Sequence, residues 1–255
     1  IPSKVDLPEP EAPTIATLWP RLIVRLISVR IVRLELGNCT VFCKFLVSIN
    51  TLGNSFMKKI VLLWLCCWLS PVFAASQNFL ILGDSLSAGY NLSKSQSWPE
   101  LWQQQLTAEK SDWQIVNASI SGETTQGALA RLPALLKNHK PKAILIELGA
   151  NDGLRGYPIK TIEQNLAKII TLSKASGSKV VLMQIRIPPN YGPKYTEQFI
   201  AVYPNLAEQH QSILWPFFME KVAVDPSLMQ PDGLHPTANA QAMIRDLVSP
   251  VLKQL

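Results

Sequence analysis

Ser85 is the residue in this chain best placed to act as a nucleophile. It lies in Gly83-Asp84-Ser85-Leu86-Ser87, directly after the apolar run Phe79 to Leu82, which puts a hydroxyl where a buried strand ends. A serine hydroxyl is a poor nucleophile near neutral pH. It needs an imidazole to take its proton and a third group to hold that imidazole in the correct tautomer. Asp232-Gly233-Leu234-His235-Pro236 supplies both, with a carboxylate three residues before a histidine and a glycine between them that lets the chain fold back. His139 and His210 have no such neighbour and read as solvated surface residues. The chemistry these residues suit is acyl transfer, with Ser85, His235 and Asp232 as the candidate catalytic residues.

Acyl transfer also requires donors aimed at the oxygen that becomes an oxyanion. Ala118-Ser119-Ile120-Ser121-Gly122 and Gly149-Ala150-Asn151-Asp152 each follow an apolar run. A glycine lets the backbone N–H come close to a reacting carbonyl. An asparagine carboxamide is an uncharged donor whose loss from an oxyanion hole costs on the order of 100-fold in rate. The oxyanion donors are therefore expected to be the Ser85 and Gly122 N–H groups and the Asn151 side chain. Asp84 and Asp152 are expected to bond nearby backbone N–H groups in their loops.

Ser85, Gly122, Asn151 and His235, in that order and each at a strand end, resemble the four blocks of the SGNH hydrolases, also called GDSL esterases and lipases. Asn117 to Gly122, Ala130 to Lys137, Asn151 to Gly156 and Leu182 to Arg186 are similar in wording to the bacterial periplasmic multifunctional esterases of that superfamily. The similarity runs from about Phe79 to Val251. Ala150 departs from the pattern, since the family has glycine just before this asparagine. The resemblance implies a three-layer α/β/α sandwich with a central parallel sheet of about five strands, flavodoxin-like in order. It also implies hydrolysis of fatty acyl esters, acyl thioesters and lysophospholipids without metal or organic cofactor. The loop Gly153 to Tyr157 and the segment Pro188 to Tyr195 are the expected walls of an acyl groove, with Gly153, Leu154, Arg155, Tyr157, Pro189 and Tyr191 as substrate-binding residues.

Two other functions fit parts of the pattern. A carbohydrate deacetylase would use the same serine on acetyl esters. A metal-dependent phosphoesterase would recruit Asp84, Asn151, Asp152 and His235, although few histidines gather near these motifs.

The elements that must position these residues alternate along the chain. Phe79 to Leu82, Ile115 to Val116, Ala143 to Leu148 and Val180 to Ile185 are short apolar runs bounded by turn residues, as expected of strands buried on both faces. Between them, Ile162, Leu166, Ile169 and Ile170 recur at helical spacing, as do Ala240, Ile244, Leu247, Val248 and Val251. Trp98, Leu101 and Trp102 mark another helix, with Pro99 acceptable in its first turn. Pro133 and Pro204 fall inside helical patterns and are expected to kink or split them. Strands alternating with helices imply right-handed crossovers and a parallel sheet with its ligand site at the strands' carboxyl ends.

The N-terminal third reads differently. Met57-Lys58-Lys59, the apolar run Ile60 to Leu69 and the exit Val72-Phe73-Ala74 have the form of a secretory signal peptide cleaved near Ala74. Ser70 and Pro71 cut the apolar run short of the roughly 20 residues that span a bilayer. Residues 1–56, proline-punctuated and basic, read as an upstream leader outside the native protein, and residues 75–255 as one hydrolase domain. All four cysteines, Cys39, Cys43, Cys66 and Cys67, precede Ala74, so the domain has neither a disulfide nor a thiolate metal site to draw on. Of the net charge of +6, +4 belongs to residues 1–74, so the basic balance does not imply nucleic acid. The expected product is an exported monomer, periplasmic or secreted, with no stable membrane anchor and an acyl ester or thioester as its partner.

Overall fold

The computed structural model describes residues 76–255. The expected leader and signal peptide, residues 1–56 and 57–74, lie outside the described residues, as does the cysteine set.

Five parallel strands form the centre: β1 (Gln77–Gly83), β2 (Trp113–Asn117), β3 (Ala143–Glu147), β4 (Lys179–Met183) and β5 (Ile213–Trp215), in spatial order β2-β1-β3-β4-β5. Phe79 to Gly83 and all of β3 are inaccessible to water, the burial that continuous apolar runs produce when both faces are covered. Among the described residues, eight α-helices accompany them: α1 (Ser85–Ala88), α2 (Trp98–Ala108), α3 (Thr125–His139), α4 (Ala150–Leu154), α5 (Ile159–Ala175), α6 (Pro193–Gln209), α7 (Met219–Val222) and α8 (Gln241–Val248). The long helices pair as α3 with α5 and α5 with α6, and as α2 with α8, which gives the three-layer α/β/α arrangement. The strand order reverses between β1 and β3, and ligands bind at such switch points in open α/β sheets.

Both prolines sit in continuous helices. Pro133 lies inside α3 and Pro204 inside α6, each on the solvent face. A proline at position 204 removes the N–H that would bond the Ile200 carbonyl. The Gln184 side chain donates to that carbonyl instead, at 3.2 Å, so α6 passes its proline without a break. Among the described residues no helix is long and apolar enough to cross a membrane.

Candidate active site

Gly83 ends β1 opposite Glu147 at the end of β3. A Cβ at position 83 would lie 2.7 Å from Glu147 Oε2 and 2.9 Å from Ser119 Oγ, so a side chain there would displace the groups packed against this strand end. Asp84 then caps α1, its Oδ1 accepting from Leu86 N at 3.0 Å, and Ser85 is the first helical residue. The capping carboxylate thus aims the serine at the carboxyl edge of the sheet.

His235 reaches this point from a loop with little regular structure. Its Nε2 lies 2.9 Å from Ser85 Oγ, and its Nδ1 lies 2.7 Å from Asp232 Oδ2. Asp232 Oδ1 accepts from the backbone N–H groups of His235 and Leu234, at 3.0 and 2.9 Å. Those bonds, the one from His235 N foremost, lower the Asp232 carboxyl to about 2. An ionised carboxylate only accepts, so Nδ1 carries the proton and Nε2 is left to accept from the serine hydroxyl.

Asn151, in the first turn of α4, faces the same cavity as Ser85. Its Nδ2 donates to Asp84 Oδ2 at 3.2 Å, which leaves one carboxamide hydrogen free to point elsewhere. Ala150 also lines the cavity, so the residue that departs from the family pattern forms part of its wall. Gly122 has φ +78° and sits in a loop tied to Gly83 by Ile120 N at 3.1 Å and to α4 by Arg155, whose Nη2 donates to the Gly122 carbonyl at 3.3 Å. Gly149, just before α4, has φ +112°, and a Cβ there would lie 2.2 Å from the Tyr203 hydroxyl oxygen. Asp152 accepts from Thr125 N at 2.9 Å and Thr125 Oγ1 at 2.6 Å, joining α4 to the start of α3, and burial raises its carboxyl.

A cavity of about 370 Å³ opens beside Ser85, Asn151 and His235. Its apolar walls come from Leu154, Ile187, Pro188, Phe217, Met219 and Met229, and the exposed ion pair of Arg186 and Glu220 stands at its rim. Of the six residues expected to contact substrate, Leu154 alone is in this wall. The other five do not line it. Gly153 is buried, and a Cβ there would press on Phe199 and Ile187. Tyr191 donates its hydroxyl to the Leu154 carbonyl at 2.8 Å, Pro189 opens the 3-10 turn that carries Tyr191, and Tyr157 receives the Tyr195 hydroxyl at its carbonyl at 2.7 Å. Arg155 holds Gly122. Ile187, Phe217, Met219 and Met229 were not legible because they lie in irregular segments or one short helical turn, where no periodicity marks a face.

Sequence reasoning also misses Glu147. It is fully buried, accepts from Ser87 Oγ at 2.8 Å and Asp84 N at 3.3 Å, and so braces the turn that carries Ser85. The signal is an acid inside a run that should be buried on both faces. Burial pushes the Glu147 carboxyl well above the carboxylate range, and the neighbouring Asp84 adds to it. Burial likewise lifts Asp84, to about 6. The folded protein therefore keeps the Glu147 proton at pH values where the unfolded chain, titrating near 4.5, has released it. Stability from this group is complete below that value and declines as pH rises toward the folded pKa. Glu147→Gln does not titrate and preserves the acceptor for Ser87. The Tm of Glu147→Gln is expected to rise relative to wild type as pH is raised from about 5 to about 8; parallel Tm curves would show that Glu147 is ionised in the fold.

The model of the GDSL-like Lipase/Acylhydrolase family matches residues 81–243. An arylesterase of Vibrio mimicus is 51% identical over 193 residues, spanning 76% of this chain and 96% of the relative. The thioesterase 1/protease 1/lysophospholipase L1 of Escherichia coli is 50% identical over 182 residues, spanning 71% and 86%. The crystal structure of the psychrotrophic esterase EstA from Pseudoalteromonas sp. superposes with a TM-score of 0.69 at 47% identity, covering 70% of this chain and 97% of that one. The chain belongs to the GDSL-like lipase/acylhydrolase family, the SGNH hydrolases, and is an enzyme that hydrolyses carboxylic esters.

Proposed function

We propose that this enzyme cleaves acyl esters and thioesters through a covalent acyl-enzyme on Ser85, after export. The observation that carries the reading is the relay of Ser85 Oγ, His235 and Asp232, at 2.9 and 2.7 Å, opening on an apolar cavity. His235 Nε2 takes the hydroxyl proton as Oγ bonds to the substrate carbonyl carbon. The carbonyl oxygen becomes an oxyanion, met by the Ser85 and Gly122 N–H groups and the free hydrogen of the Asn151 carboxamide. Collapse of the intermediate breaks the bond to the alcohol or thiol, which leaves with the proton from Nε2. Water then attacks the acyl-enzyme with His235 again as base, and the carboxylic acid departs. Asp232 stays ionised throughout and stabilises the imidazolium.

Both ring nitrogens of His235 are committed, one to Asp232 and one to Ser85, which favours a serine mechanism over a metal-ligand role. The apolar wall favours an acyl chain over a sugar. Each methylene buried there contributes about 0.8 kcal/mol, so an octanoyl p-nitrophenyl ester should exceed the acetyl ester at least about 10-fold in kcat/KM. The reverse ranking would favour carbohydrate deacetylation. Acyl-CoAs tested beside them report on thioesters. The names of the Vibrio and Escherichia relatives support arylesterase, thioesterase and lysophospholipase activity, and the signal-like segment 57–74 supports export to the periplasm or medium. The nucleophile is tested by covalent titration. A p-nitrophenyl phosphonate should release about one equivalent of nitrophenol, and the phosphonyl mass should be found on the peptide carrying Ser85. Label on another residue would reject the assignment.

A further inference from the structure

The catalytic histidine sits on an exposed loop, and something must hold it on the serine. Asp232, Gly233 and Leu234 are exposed, and the loop's backbone order comes from an isolated bridge between Met229 and Pro236 and a few short-range bonds, among them Thr237 N to Leu228 O and Gly233 N to Gln230 O. Two residues close the gap, Tyr90 from the serine side and Gln230 from the histidine loop. Tyr90 lies just past α1, its N–H 3.2 Å from the Ser85 carbonyl, and its ring faces the His235 imidazole with centroids 4.3 Å apart and planes tilted by 32°. Gln230 grips both sides. Its Nε2 donates to the Tyr90 carbonyl and to the Pro236 carbonyl, each at 2.9 Å, and its backbone N–H donates to the His235 carbonyl at 2.7 Å. Asn91 Nδ2, at φ +57°, reaches Gln230 Oε1 at 3.4 Å.

These contacts form a closed circuit: Ser85 carbonyl to Tyr90, Tyr90 to Gln230, Gln230 to His235, and His235 back to Ser85 Oγ. We propose that Tyr90 and Gln230 are positioning residues that clasp the histidine loop onto the serine turn and hold the imidazole in line with Ser85 Oγ. Gln230 fixes the loop, and the Tyr90 ring fixes the tilt of the imidazole. The ring adds a second effect. An aromatic face attracts a cation within about 6 Å of its centroid, so it favours the imidazolium that forms as the serine attacks. Both effects act in the transition state and leave the apolar cavity untouched, since neither residue is in its wall.

The inference rests on the proposed roles of Ser85 and His235, and the test separates the two. Tyr90→Leu removes the aromatic face and keeps both backbone bonds. Gln230→Leu removes the side-chain tie and keeps the backbone bond to His235. Each is expected to lower kcat about 10- to 100-fold, the cost of a small misplacement of a reacting group, with KM within about 3-fold of wild type. Tyr90→Phe should retain kcat within about 2-fold, because the ring face is kept. The two losses should not add in the double variant, since both act through one imidazole. By NMR, the His235 Nδ1 proton bonded to Asp232 should exchange faster with solvent in Gln230→Leu. Unchanged kcat in both leucine variants, or a rise confined to KM, would overturn the clasp while leaving Ser85 as nucleophile. Full activity in Ser85→Ala would instead reject the reading beneath it.

Discussion

Ser85→Ala is expected to lower kcat on an acyl ester by at least about 1000-fold, with KM and Tm close to wild type. The size follows from the mechanism. Without Oγ there is no covalent intermediate, and what remains is direct attack by water with help from the oxyanion donors. The stability follows from the local structure. Ser85 is the first residue of α1, the side-chain bond the substitution removes is the one to His235 Nε2, and alanine is at least as good a helix former. The cap on α1 belongs to Asp84 and is unaffected. His235→Ala should fall to a similar floor, and the double variant should fall no further, because serine and imidazole act as one unit. Steady-state kinetics with circular dichroism melts measure all of this. A Ser85→Ala enzyme within about 10-fold of wild type, with contamination excluded by purification from a second host, would move the nucleophile elsewhere.

The parts of this site that were legible in the sequence are those with local signals. Ser85 follows an apolar run that had to be a strand, and Asp232 and His235 are three residues apart with a glycine between, so their pairing needs no long-range information. The strands β1, β3 and β4 are legible for the same reason: continuous apolar runs of four residues, each followed by a turn residue or a single polar one, fit a parallel sheet buried on both faces. β5 is not. It is three residues long, and none of Ile213, Leu214 and Trp215 is fully buried, so burial wrote no pattern into it. The contacts that tune the site join distant segments: Asp84 to Asn151 across 67 residues, Ser87 to Glu147 across 60, Tyr90 to Gln230 across 140. No periodicity reports such pairs. The cavity wall is hidden for a related reason. Of the segment Pro188 to Tyr195, expected as a wall of the groove, Pro188 lines the cavity, whereas Tyr191 spends its hydroxyl on the Leu154 carbonyl and so supports a wall residue.

Asp84→Asn is expected to cost about 100-fold in kcat while leaving the fold intact, and the argument lies in the number of acceptors. A carboxylate offers two acceptor oxygens, and both are used: Oδ1 takes Leu86 N, and Oδ2 takes Asn151 Nδ2. An asparagine at position 84 keeps one acceptor and turns the other into a donor. If its oxygen caps α1, its own NH₂ confronts the NH₂ of Asn151, and the Asn151 carboxamide must rotate away from the cavity or present its oxygen there. Asparagine caps helices as well as aspartate does, so Tm should change little. The loss therefore appears as misdirection of one oxyanion donor, which acts on charge developing in the transition state and so lowers kcat with KM nearly constant. Asn151→Ala removes the same donor outright and should cost a similar factor. In the double variant the losses should overlap, because Asp84 acts through Asn151. Kinetics of the three variants on one p-nitrophenyl ester decide the matter. Losses that multiply in the double variant would mean that Asp84 serves catalysis by a separate route, such as the field its carboxylate exerts on the His235 imidazolium that forms as the serine attacks.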